Sequence, residues 1–180
     1  MTMHRSSSLP NTPISSENFS SDQTKLESFF RIVKGKCSEI DRIAVALYDE
    51  GSETLKTYLA VVNDENPLKF YEVPLKSVPS LYQVKELKQP RIINDLTVLS
   101  SVQTTHSQKI TQAGYFSSYT FPMIKNERFL GFIFYNSYQK GYFTKENTEW
   151  LELFSLLVTD FINDGIGTAE TLMASFVTIR

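Results

Sequence analysis

The sequence predicts an α+β domain. One central antiparallel sheet of about five to six strands carries terminal helices on one face and a helical insertion on the other. Three observations lead there. Residues 42–48 and 129–135 are apolar on both faces, as central strands covered on both sides must be. Short connections at residues 49–53 and 125–127 join segments of strand pattern, and such connections require antiparallel neighbours. Both ends of the folded region carry apolar residues at helical spacing.

The elements follow in order. Ser20 and Gln23 have the spacing of a capping box, so an ordered helix is expected from about Ser20. Leu26, Phe29, Phe30, Val33 and Cys37 form its apolar stripe, and Cys37 reads as packing. Residues 42–48 are the buried first strand. Residues 54–62 return as a second strand, with Leu55, Leu59 and Val61 expected on one face. A third, short strand is expected over 69–75 and a helix over 79–88, ended by Pro90. Residues 91–94 read as a brief extended piece. A helix is expected from about Thr104, stopped by Gly114. Residues 116–124 and 128–135 form a hairpin. Thr144 caps the last helix, whose apolar residues Trp150, Leu151, Leu153, Phe154, Leu157, Val158, Phe161 and Ile162 cover about half its circumference. A stripe of only ~100° serves a single core, so a second contact is expected there. Gly165 and Gly167 are read as interruptions, after which Ala169, Leu172, Met173, Phe176 and Ile179 resume the pattern. The division is therefore a flexible segment over 1–20, a domain over 21–163, and the start of a connector helix over 164–180.

Composition narrows the function classes. The length of 180 residues suits one domain. Net charge is −2 without a clustered basic run, which argues against nucleic acid as a partner. Lys85, Lys88 and Arg91 lie close together, but with Glu86 among them they read as solvated surface. No stretch approaches the ~18 consecutive apolar residues of a membrane span, and no signal-peptide core opens the chain. The one cysteine, Cys37, excludes an internal disulfide and a CxxC metal site and fits a reducing, cytoplasmic setting.

Three stretches together resemble a known family: residues 41–49, with the sequence DRIAVALYD; 89–96, with QPRIINDL; and 114–123, GYFSSYTFPM, followed by LGFIF at 130–134 and by Phe143, Thr144 and Glu146. In that order and spacing the chain resembles a GAF domain over residues 26–162. The resemblance implies a GAF/PAS-like sheet with a small-molecule pocket under short helices and loops. It also implies homodimerisation through the terminal helices and an output module downstream, such as a phosphohydrolase, a diguanylate cyclase or a histidine kinase, in a bacterial signalling protein.

Ligand chemistry has to be argued residue by residue. Covalent-bilin GAF domains carry Cys-His with a glycine eight residues after the histidine. His106 stands eight residues before Gly114, but Thr105 occupies the cysteine position, so a covalent bilin is not expected. His106 is also the one histidine in the folded region that haem would need, and it reads more simply as a pocket-wall or surface residue. Asn136, Lys140 and Phe143 echo the cyclic-nucleotide GAF pattern, with Asn147 and Thr148 where its acidic pair would stand. A free-methionine-sulfoxide reductase needs several thiols, and this chain has one. No catalytic set and no metal site is expected; Asp95 reads first as a cap. By family geometry the polar pocket candidates are Tyr82, Asp95, His106, Ser117 and Tyr119, with Phe121 and Phe116 as walls. Strand alternation places Ser117, Tyr119 and Phe121 on one face and Phe116 on the other. The expected function is a non-enzymatic sensor of an unidentified small molecule. A ligand-free dimerisation module and a cyclic-nucleotide-binding domain are the alternatives.

Overall fold

The computed structural model describes the backbone of residues 16–62, 71–101 and 105–177, and the side chains of 21–62, 71–98 and 108–165. The elements are α1 (Ser16–Lys36), β1 (Arg42–Asp49), β2 (Thr54–Val62), β3 (Glu72–Pro74), α2 (Pro79–Leu87), β4 (Arg91–Ile93), α3 (Thr105–Gln112), β5 (Ser117–Lys125), β6 (Arg128–Ser137) and α4 (Lys145–Val177). Short 3₁₀ turns span Leu75–Ser77 and Leu96–Ser101. The six strands form one sheet in the order β3-β2-β1-β6-β5-β4, with every neighbouring pair antiparallel.

The two doubly apolar stretches are the two central strands. On one face Ile43 and Val45 of β1, with Ile133 and Tyr135 of β6, pack against Leu26 and Val33 of α1 and Leu151 and Val158 of α4. On the other face Ala46, Phe132 and Phe134 meet Leu75, Val78, Leu81 and Val84 in and around α2. A third cluster, Leu96, Ile110 and Tyr115, brings α3 and its flanks onto the β4 side. The sheet is thus a wall between two differently built layers.

Local chemistry ends the helices where expected in most cases. Lys88 adopts a left-handed conformation at φ 53° and closes α2, two residues before Pro90. Gly114, at φ 87°, turns the chain after α3. At the start of α4 the Thr144 amide donates to Asn147 Oδ1 at 2.9 Å and the Asn147 amide donates to Thr144 Oγ1 at 3.5 Å, a reciprocal cap.

Four local expectations are corrected. Helix α1 begins at Ser16 rather than near Ser20, so Gln23 lies inside it and donates to Glu27 and to the Ala60 carbonyl of β2. Residues 1–15, most of the segment expected to be flexible, lie outside the described residues. The third strand is only Glu72–Pro74, because the chain tightens into a 3₁₀ turn at Leu75. Leu55 and Leu59 do not share a face. Val45 pairs with Leu59 but Ala46 pairs with Thr57, so Tyr58 is an extra residue and the alternation switches across the bulge. Helix α4 runs without a break through Gly165 and Gly167. A side chain at 165 would meet Asp22 Oδ2 of α1 at 3.2 Å, so the small residue allows two helices to come close. Asp22 also accepts from the displaced Tyr58 hydroxyl at 2.9 Å, which ties α1 to the bulge.

Gly131 of β6 occupies the tightest point of the sheet. Its φ is 142°, and a β-carbon there would lie 2.0 Å from the Ala46 carbonyl oxygen of β1. Gly131→Ala should therefore destabilise the fold by roughly 1–3 kcal/mol or more. Gly35, inside α1, has nothing within 4 Å of such a carbon. Gly35→Ala should stabilise by about 0.5–1 kcal/mol. Urea denaturation of both variants checks the pair; equal effects would contradict the close approach.

Candidate functional site

The register assigns side chains to the face covered by α2 and α3. Arg42, Asn136, Ser118 and Ile93 lie in one row across β1, β6, β5 and β4. Ala44, Phe134, Thr120 and Arg91 form the next row. Residues directly opposite one another in antiparallel strands project to the same side. Apart from Phe134 and Ile93, these rows are small or polar, unlike the opposite face.

Arg42 opens β1 and is 1% exposed. Its Nη1 donates to Asn136 Oδ1 at 2.7 Å, a short bond to a neutral acceptor. Burial pushes its guanidinium down to about 10, so it stays charged at neutral pH. Beside it, Tyr115 stacks on Tyr138 with ring centroids 4.7 Å apart. Small Ala44 and Ala46 leave a cavity next to Arg42, walled by Leu55, Thr57, Tyr71 and Phe134. Its volume of about 10 Å³ is enough for roughly one water. The Thr57 amide donates to the Tyr71 carbonyl at 2.9 Å, and Lys109 Nζ of α3 lies 5.5 Å from the Tyr71 ring centre, so α3 and the edge of β2 close the space together. On the β4 side of Phe134, Arg91 Nε and Thr120 Oγ1 are both buried, and among the described residues neither has a hydrogen-bond partner. Burial lowers the Arg91 pKa.

The six residues singled out from sequence do not come together. Tyr119 and Phe121 belong to the core beneath α1 and α4, where Tyr119 stacks with Phe143 at 5.9 Å. Ser117 shares their side of β5, and its hydroxyl donates to the Gln139 carbonyl at 2.6 Å. Strand alternation sends these three away from the covered face, which receives Ser118 and Thr120 instead. Asp95 accepts from the Thr97 hydroxyl, from Lys140 Nζ at 3.0 Å and from the Thr97 amide at 2.9 Å; these bonds hold its pKa below the usual range and make it a turn anchor. Tyr82 is on the covered side but packs at the rim, 5.7 Å from Lys85 Nζ. Phe116 is 36% exposed with Lys140 over its ring. His106 is in α3, and its side chain lies outside the described residues.

Two residues were missed. Arg91 is only partly solvent-exposed: it starts a strand after Pro90 and turns its Nε inward, whereas the sequence reads it with Lys85 and Lys88 as solvated surface. Arg42 was passed over as the edge of an apolar run. The available signal was period two: Arg42, Ala44 and Ala46 share one side of β1, and two alanines beside an arginine leave room. The nucleotide-like echo is used internally. Asn136 holds Arg42, Lys140 bonds Asp95, and Phe143 is fixed by Asn94, whose Nδ2 donates to the Phe143 carbonyl at 3.0 Å while Oδ1 accepts from its amide at 3.1 Å.

No protein-family model and no curated protein matches the chain. Solved structures do. The GAF domain/HD domain protein from Geobacter sulfurreducens is similar with a TM-score of 0.66 at 12% identity, over 83% of this chain and 96% of that one. The GAF domain of a two-component sensor histidine kinase from Bacillus halodurans is similar with a TM-score of 0.66 at 14% identity, over 84% and 96%. The type II free methionine-R-sulfoxide reductase from Thermoplasma acidophilum is similar with a TM-score of 0.62 at 16% identity, over 82% and 96%. Together with the six-stranded sheet between terminal helices and a helical cover, these likenesses show that the chain has the GAF fold.

Proposed function

We propose that this chain is a regulatory domain that takes a small molecule between the sheet and its α2–α3 cover, and that it dimerises through α1 and α4 to control an output domain. The observation that carries the ligand reading is the polar character of the covered face. Burying a guanidinium costs several kcal/mol after relaxation, and a face needed only for packing would be filled like the opposite one. Arg42 instead is fully buried beside Ala44, Asn136 and Ser118, and Arg91 turns its Nε inward beside Thr120. The structural neighbours that belong to a GAF/HD protein and to a sensor histidine kinase support an output of the phosphohydrolase or kinase kind.

An enzymatic role like that of the reductase neighbour is disfavoured by what Cys37 does. It is the one cysteine, 1% exposed between α1 and α4, and burial raises its thiol pKa, opposite to what a reactive thiol needs. A cytoplasmic setting is supported by the same unpaired thiol. Among the described residues no helix is long and apolar enough to cross a membrane.

Dimerisation is supported by the outer side of α4. Trp150, Leu153, Leu156 and Leu157 are each 41–50% exposed, and Ile32 of α1 is 54% exposed. Leu157 is therefore a surface residue, not a core one, and can be changed without opening the core. A ligand-free dimerisation module is the second reading, favoured by the small size of the cavity.

Two outcomes are expected. The unmodified chain should be a dimer by light scattering, and the double variant Leu153→Glu/Leu157→Glu a folded monomer; an unaltered dimer would exclude this face. Native mass spectrometry should show a noncovalent adduct that disappears on denaturation. A bare dimer that no added metabolite stabilises against heat would favour the second reading.

A further inference from the structure

Buried polar groups without partners are rare, and each is costly, more so where the group is charged. Here two of them are immediate neighbours. Arg91 and Thr120 are directly opposite each other in the β4–β5 pair, so both side chains leave the same side of the sheet. Arg91 Nε and Thr120 Oγ1 are each shielded from solvent and, among the described residues, have no hydrogen-bond partner, each other included. Thr120 is 1% exposed, so its hydroxyl cannot turn to bulk water.

The missing partner can be specified chemically. Arg91 Nε offers only an N–H donor, so the partner must present an acceptor. Thr120 offers a hydroxyl that donates equally well. The guanidinium also brings a positive charge whose Nε is turned inward, and the fully buried Arg42 adds a second one on the same face. The acidic group nearest Arg91 in sequence, Asp95, is bonded to Thr97 and Lys140. A neutral acceptor would satisfy the N–H but leave the charge; an oxyanion satisfies both and accepts from the hydroxyl as well.

We propose that Arg91 and Thr120 are the anion-binding corner of the ligand site and that the ligand carries a carboxylate or phosphate group. This rests on the sensory reading above and narrows it to an acidic small molecule. Phe134, between this corner and the cavity beside Arg42, supplies an apolar surface for the rest of such a ligand.

The test is thermal unfolding of the full chain with sodium phosphate or sodium succinate against sodium chloride of equal ionic strength. One of the two anions should raise the midpoint by roughly 3–5 °C at tenfold excess over its Kd. The rise should vanish in Arg91→Met and fall in Thr120→Val, and survive in Arg128→Gln, a change on the exposed start of β6. Phosphate acting alone would identify a phosphorylated ligand, and succinate acting alone a carboxylic acid. Arg91→Met keeps an unbranched side chain at a partly exposed position and removes the unpartnered Nε, so it should fold; Thr120→Val, nearly isosteric, gives the same reading should it not. No rise with either anion up to about 50 mM, or an equal rise in the Arg91 and Thr120 variants, would overturn the proposal. An adduct in native mass spectra that is uncharged by composition and persists in Arg91→Met would overturn it while leaving the sensory reading intact. Absence of both adduct and anion effect would overturn both.

Discussion

Between Ala46 and Gly131 the two central strands come so close that no β-carbon fits, and the β1–β6 pairing passes through this contact. The strands come from distant parts of the chain, and their join sets the order of the sheet. β1 carries the β2–β3 side, while β6 carries β5 and β4. The register that runs from Arg42 opposite Asn136 to Leu47 opposite Gly131 also decides which side chains share a face. A slip by one residue would exchange the two faces wholesale. The bulge opposite Val45 and Ala46 sits beside this point and bends β2, so that Leu55 serves one layer and Leu59 the other.

Once the register is set, the two faces can be specialised. The side under α1 and α4 is a conventional apolar layer, and its few polar groups are mutually satisfied; Tyr135 and Ser155 share a hydrogen bond of 2.9 Å. The other side combines apolar packing of Ala46, Phe132 and Phe134 under α2 with guanidinium groups, an amide and hydroxyls at Arg42, Asn136, Ser118, Thr120 and Arg91. The same strands therefore hold an apolar layer at the terminal helices and a mixed polar and apolar face at the cover. Asp22 joins the two ends of this arrangement: it lies on α1, touches Gly165 of α4 and accepts from Tyr58 at the bulge.

Much of the fold could be read from the chain because strong local signals agreed. Apolar runs at 42–48 and 129–135, the reverse turn between β5 and β6, and the Pro90 and Gly114 stops all correspond to elements of the structure. Errors arose where a local rule met a tertiary one. Gly165 reads as a helix break, yet packing of α4 on α1 makes a glycine useful inside a helix. Leu55 and Leu59 obey alternation until an extra residue intervenes, and no local pattern announces a bulge. The candidate site was less legible. Serine, tyrosine and phenylalanine at 117, 119 and 121 looked like a pocket lining, and their shared parity was correctly read. Which side of the sheet that parity belonged to could not be read, because both sides of β5 are buried.

The residues alone determined the class of the fold, the central strands and the positions of most turns, since these depend on periodicity, chain stiffness and local hydrogen bonding. They also limited the chemistry: a single cysteine and a balanced charge leave few reactive options. Only the tertiary structure decided that Arg42 and Arg91 face inward on the same side, that Tyr119 and Phe121 face away from them, and that Arg91 and Thr120 adjoin with their polar atoms unpaired. The physical reason is that a strand's periodicity records alternation but not orientation. Which side becomes a chamber is set by pairing between segments far apart in the chain and by what then packs on each face.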